Sequence, residues 1–155
     1  MKDILVNLKE TWTLLELANS IQKQFHDYGP EGTKIFTVSG EELRNTYKNL
    51  LKVDFIGGGH HYVYPFIPLE EIWIDNEVDN NEQRFFLAHE MVERMQMKHL
   101  GKSYALAHAE ANKIEAKLRG GEDPENVFDE FCKVNFRKPE LQSMGRQLTL
   151  AYLGF

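Results

Sequence analysis

Five residues, His99-Leu100-Gly101-Lys102-Ser103, separate two long stretches of helical periodicity. So short a link brings two helices back against each other as an antiparallel pair. The first stretch starts with Asn80 or Asn81 as cap and reaches His99 or Leu100, where Gly101 stops it. The second is capped by Ser103, runs from Tyr104 to Arg119 and ends at Gly120-Gly121. The middle of one helix then faces the middle of the other, which draws His108 towards residues near position 89.

The residues at that meeting point are chemically loaded. Advancing about 100° per residue from Phe85, an apolar stripe forms from Met95, Ala88, His99, Val92 and Phe85. His89 and Glu93 fall together at its border, one turn apart, and Glu90 faces out of the core. An imidazole and a carboxylate at i and i+4 converge on one cation, as the two histidines of an H-E-x-x-H helix do on zinc. The next helix offers His108 and Glu115 on one face, with the small Ala107, Ala109 and Ala111 permitting close approach. The expected metal ligands are therefore His89 and Glu93, with His108 and Glu115 as candidates for a third. A metal-free alternative makes Glu93 and His108 a buried polar pair between helices.

Around this hairpin the chain reads as α+β. Leu14, Leu15, Ala18, Ile21 and Phe25 predict a helix from Thr11 to about Asp27, ended by Tyr28-Gly29-Pro30. Lys34–Val38 reads as a strand, and Ser39 or Gly40 opens a helix to about Leu51. Short strands follow at Val53–Ile56, His61–Tyr64 and Glu71–Asp75. Asp123-Pro124 starts a further helix, and Lys138-Pro139-Glu140 precedes a last one towards Tyr152. The expectation is one domain over residues 1–155, its helices packed on a small, mostly antiparallel sheet.

Composition narrows the function classes. The net charge of -6 over 155 residues argues against a general nucleic-acid surface. Cys132 is the only cysteine, so no intramolecular disulfide forms; with Phe128 and Phe131 it reads as a core thiol. The first ten residues hold no apolar run of signal-peptide or membrane-span length, so a cytoplasmic protein is expected. No Lys-Ser/Thr follows Gly57-Gly58-Gly59, against a phosphate loop, and the paired E-x-x-H helices of a di-iron bundle are missing.

Other candidates have a plain and a functional reading. His60 and His61 are rim residues of the site, as an extra ligand or oxyanion donor, or two ordinary histidines in a turn, the reading preferred. Tyr104 stabilises an oxyanion from the rim or packs on the turn. Arg94 is solvated or paired with Glu90, and Asp75 and Glu77 cap or turn the chain.

The stretch from about Val53 to Leu118 resembles a group of little-characterised prokaryotic and phage proteins. They carry a strand (here Glu71-Ile72-Trp73-Ile74-Asp75), an H-E-x-x-E helix (His89 to Glu93), a G-x-S-Y turn (Gly101 to Tyr104) and an A-H-x-x-A-x-x-x-E helix (Ala107 to Glu115). The layout is also similar to the minimal zincin metallopeptidase core. That resemblance implies His89 as first ligand, Glu90 as general base, Glu93 as second ligand with Glu in place of His, His108 as third ligand, and Glu115 as a fourth ligand or as a partner of one. It further implies an edge strand, Glu71–Asp75, that aligns peptide substrate beside the metal. The function expected is a zinc-dependent hydrolase, most plausibly a small peptidase, in which Glu90 deprotonates a water activated by zinc or another divalent metal. The alternative is a non-catalytic metal-binding protein acting as a phage or host interaction module. Coordination separates the two, because a structural site closes all four positions whereas a catalytic one keeps one open.

Overall fold

The computed structural model describes residues 21–51 and 55–155. Strand β1 (Lys23–Tyr28) turns through Pro30–Gly32 into β2 (Lys34–Val38), helix α1 (Gly40–Leu51), β3 (Gly58–His60) and β4 (Glu71–Asp75). The helical half follows: α2 (Asn80–Leu100), α3 (Tyr104–Arg119), α4 (Pro124–Asn135), the single turn α5 (Pro139–Gln142) and α6 (Gly145–Gly154). The class is α+β, with helices on a four-stranded sheet of order β1-β2-β4-β3. β1/β2 and β3/β4 are antiparallel, while β2/β4 is parallel.

Side-chain alternation along β4 builds a core on each face of the sheet. Ile72 and Ile74 join the larger core with Leu87, Met91 and Met95 of α2 and Phe128, Phe131 and Leu148 further on. Trp73 points the other way, into a cluster with Val38, Leu43, Phe55, Phe66 and Ile67. Cys132 lies in the larger core, where burial pushes its thiol up to about 12.

Helix α2 is the spine of the molecule. Every residue from Leu87 to Gln96 is buried, so this stretch is enclosed on all sides rather than on one stripe. β3 and β4 close one side and α3 the other. Contacts between Glu82 and Arg119, His89 and Glu115, and Gln96 and Ala107 show α2 and α3 running antiparallel, as their short link requires. Gly101 ends α2 in the left-handed region (φ 62), and the Ser103 side chain accepts from the Leu106 N–H. The α2 cap is Asp79, one residue before the pair predicted.

Several sequence expectations fail. The predicted first helix lies partly outside the described residues (11–20), but Lys23–Tyr28 is strand. Its pairing with Lys34–Val38 and the Phe25–Phe36 ring contact (centroids 5.6 Å) override the local helical spacing. His61–Tyr64 is a turn, closed by the Val63 and Tyr64 N–H groups on the His60 carbonyl. Of the expected strand Val53–Ile56, residues 53–54 are outside the described part and Phe55-Ile56 is irregular; the strand is Gly58–His60. Consequently Glu71–Asp75 is no edge strand, since β3 covers the side away from β2. Among the described residues no helix is long and apolar enough to cross a membrane.

The glycines of 57–59 make that cover feasible. Gly57 has φ +78, and a Cβ there would run into the Phe86 ring of α2. Gly32 also has positive φ (+73), but a Cβ there meets open space. Gly32→Ala should therefore cost about 1 kcal/mol of stability, and Gly57→Ala roughly 2–4 kcal/mol, in urea unfolding. Equal losses would show that β3 does not press on α2 as described.

Candidate metal centre

Three side chains from two helices converge at the middle of the α2/α3 pair. Nε2 of His89 lies 3.2 Å from Oε2 of Glu93 and 3.0 Å from Nδ1 of His108, and His108 Nδ1 lies 3.0 Å from the same Glu93 oxygen. Protons alone cannot satisfy this triangle. Each imidazole nitrogen carries at most one hydrogen, aimed in one direction, so with Glu93 ionised at least one edge sets two lone pairs or two N–H groups face to face. A cation between the three satisfies every edge. An ion held tetrahedrally with bonds of about 2.0–2.1 Å keeps its donors roughly 3.3 Å apart, close to the spacing found. These are the three sequence-predicted ligands.

Glu115 stands behind His89, beside the ring nitrogen that faces away from Glu93 and His108. Its Oε1 is 3.2 Å from His89 Nδ1, though off the line of a full hydrogen bond, and that buried nitrogen has no other partner among the described residues. A carboxylate facing the far ring nitrogen is the usual arrangement around a metal-bound histidine, where it fixes the tautomer and turns Nε2 to the metal. Arg119 secures Glu115 in turn, with Nε donating to Oε2 at 2.9 Å. Of the two roles foreseen for Glu115, its position fits the orienting partner and not the fourth ligand.

The three side chains line a cavity of about 200 Å³. His89, Glu90, Glu93, His108, Asn112 and Glu115 supply its polar wall, and among the described residues no Lys or Arg lines it. Phe86, Ile56, Val63, Tyr64 and Tyr104 form the apolar side. Tyr104 also borders the cavity, its ring 5.1 Å from that of His108. Burial and the Glu93 and Glu90 charges raise its hydroxyl above the usual tyrosine range, so it remains a proton donor.

Glu90 corrects the helical projection. It is buried, not turned out to solvent, because β3 closes over this side of α2; a Cβ on Gly58 would stand 3.0 Å from Glu90 Cγ. Burial, followed by repulsion from Glu93, pushes its carboxyl up to about 8. Burial acts on Glu93 as well, but the hydrogen bonds of His60, His89 and His108 prevail and hold it at about 2. Burial likewise opposes the charge on His89, yet Glu115 and Glu93 raise it to about 10.

Two neighbours, His60 and Arg94, differ from their sequence reading. His60 is no ordinary turn histidine: it is fully buried, and its Nε2 lies 2.9 Å from Glu93 Oε1. His61 stays away from the cavity, its Nδ1 on the Ile67 carbonyl at 2.8 Å. Arg94 is neither solvated nor paired with Glu90. It is buried, donates to the Leu69 carbonyl at 2.9 Å and stacks on Tyr62, which ties α2 to the segment before β4. Asp75 and Glu77 accept from the first N–H groups of α1, the capping role expected. Asn112 and Arg119 were not anticipated, though each lies one turn beyond a predicted residue, His108 and Glu115.

The carboxyl of Glu90 sets a pH-dependent cost. An unfolded Glu titrates near 4.5 and the folded one near 8, so folded Glu90 loses stability relative to the unfolded chain as pH rises through that window. Glu90→Gln should therefore stabilise the chelator-treated protein by on the order of 1 kcal/mol or more at pH 8, and much less at pH 4.5. The same difference at both pH values would show that Glu90 is not held in the protonated form.

Comparison with known proteins finds no matching family model, no matching curated protein and no matching solved structure.

Proposed function

We propose that this protein is a metal-dependent hydrolase, most plausibly a small peptidase, with zinc or a similar divalent cation held by His89, Glu93 and His108. The observation that carries the reading is the triangle of donor atoms on the wall of an open cavity with an uncommitted carboxyl, Glu90, beside it. A divalent cation supplies polarisation of a carbonyl and acidification of water. Glu90 supplies the proton transfer. In its ionised form it would accept a proton from the attacking water and pass it to the leaving amine. Tyr104, kept protonated at the rim, is placed to donate to a developing oxyanion.

Substrate docking moves from β4 to β3. Asp75 N–H donates to the Gly57 carbonyl, so by alternation Gly57 and Gly59 bond to β4 while Gly58 and His60 turn their backbone groups to the other side. The His60 carbonyl is already taken by its turn. The Gly58 carbonyl is left on the cavity side to receive a substrate N–H, which suits a short segment of peptide rather than a long extended one.

A non-catalytic metal site is the second reading. Against it, Glu115 does not close the coordination sphere, and the ligand group contains three residues. The deciding experiment compares wild type with Glu90→Gln on a fluorescence-quenched peptide library. Glu90→Gln should retain the metal and lose about 10²–10⁴-fold in turnover. Unchanged turnover with metal in place would remove Glu90 from the chemistry, and no metal-dependent cleavage by the wild type would favour the non-catalytic reading.

A further inference from the structure

His60 reaches Glu93 from the side opposite the metal triangle, and its hydrogen bonds fix which nitrogen carries the proton. The Tyr62 N–H donates to His60 Nδ1 at 3.2 Å, so Nδ1 is the acceptor and Nε2 bears the hydrogen of the neutral ring. That hydrogen points at Glu93 Oε1, 2.9 Å away. His60, Glu90 and Glu93 also place donor atoms within 4.8 Å of one another, all buried, which resembles a second cation site. The tautomer argues otherwise, because a nitrogen that carries a proton has no lone pair for a metal.

The two oxygens of Glu93 therefore have separate partners. Oε2 faces His89 and His108, and Oε1 faces His60. We infer that His60 is a positioning residue that confines Glu93 to ligation through Oε2 alone and so keeps a coordination position open. Resting on the metal reading above, the inference adds what the Glu at position 93 needs in order to act there. A carboxylate has two features that an imidazole ligand lacks: a second oxygen able to chelate, and a full negative charge. An N–H donated to Oε1 occupies the first and draws density from the second. Glu93 assisted by His60 thus approaches the single, near-neutral donor that histidine provides in the H-E-x-x-H pattern. Gly57 and Gly58 serve the same end, since they let β3 come close enough to α2 for His60 to reach.

Titration with Co²⁺, whose visible bands are intense in four-coordinate sites and weak in higher coordination, tests the inference in the metal-free protein. Wild type should bind one Co²⁺ per chain with intense bands. His60→Leu and His60→Asn, neither of which presents a donor at the Nε2 position, should weaken binding by about tenfold to a hundredfold and give weak, higher-coordinate bands. His60→Gln, whose amide N–H spans the distance, should retain the wild-type spectrum and bind within a few-fold of wild type. Circular dichroism identifies variants that fail to fold, and the polar Asn replacement supplies the comparison if Leu is not accommodated. Folded Asn or Leu variants with wild-type affinity and spectrum overturn the role of His60 while leaving the metal reading intact. Two Co²⁺ per wild-type chain, one of them lost in His60→Gln, would make His60 a ligand instead. No Co²⁺ binding by the wild type overturns the metal reading itself, and this inference with it.

Discussion

The carboxylate of Glu93 is the point on which the arrangement turns. It is 2% exposed, and a lone carboxylate so deep would take up a proton rather than remain charged. Three imidazoles, from His60, His89 and His108, keep it ionised. They come from β3, α2 and α3, so meeting this one charge requires the sheet and the partner helix to close on the same turn of α2. The glycines before His60, the short α2/α3 link and the Arg94 anchor to the loop before β4 all serve that closure.

The enclosure has a cost that packing alone does not explain. Between Leu87 and Gln96 the spine helix buries His89, Glu90, Glu93, Arg94 and Gln96 among its apolar residues. Glu90 is pressed into its protonated form, and His89 Nδ1 lacks a well-aligned partner. Hydrophobic residues at these positions would fold more stably. Sites that trade stability for chemistry have this character, and here the strain gathers around one cavity.

The helical hairpin and the meeting of His89, Glu93 and His108 were legible in the sequence because local rules decide them. The i, i+4 spacing of His89 and Glu93, the stop at Gly101 and the cap at Ser103 each act within a few residues. What escaped depends on contacts across the chain. Glu90 projects outward on an isolated helix and is buried only because β3 lies over it. His60 lies 33 residues from Glu93 in sequence, and nothing local marks it apart from His61, which turns to the Ile67 carbonyl. Lys23–Tyr28 has helical spacing and becomes a strand through pairing with β2. The apparent edge strand Glu71–Asp75 became internal for the same reason, so the free edge beside the cavity is β3.

The central claim is that His89, Glu93 and His108 together hold one divalent cation. Elemental mass spectrometry of the protein purified without added metal, beside His89→Ala and His108→Ala variants, tests it most directly. The account predicts close to one zinc or similar divalent ion per wild-type chain, falling to trace in both variants while the fold persists. No stoichiometric metal in the wild type, or metal that survives both substitutions, would contradict it.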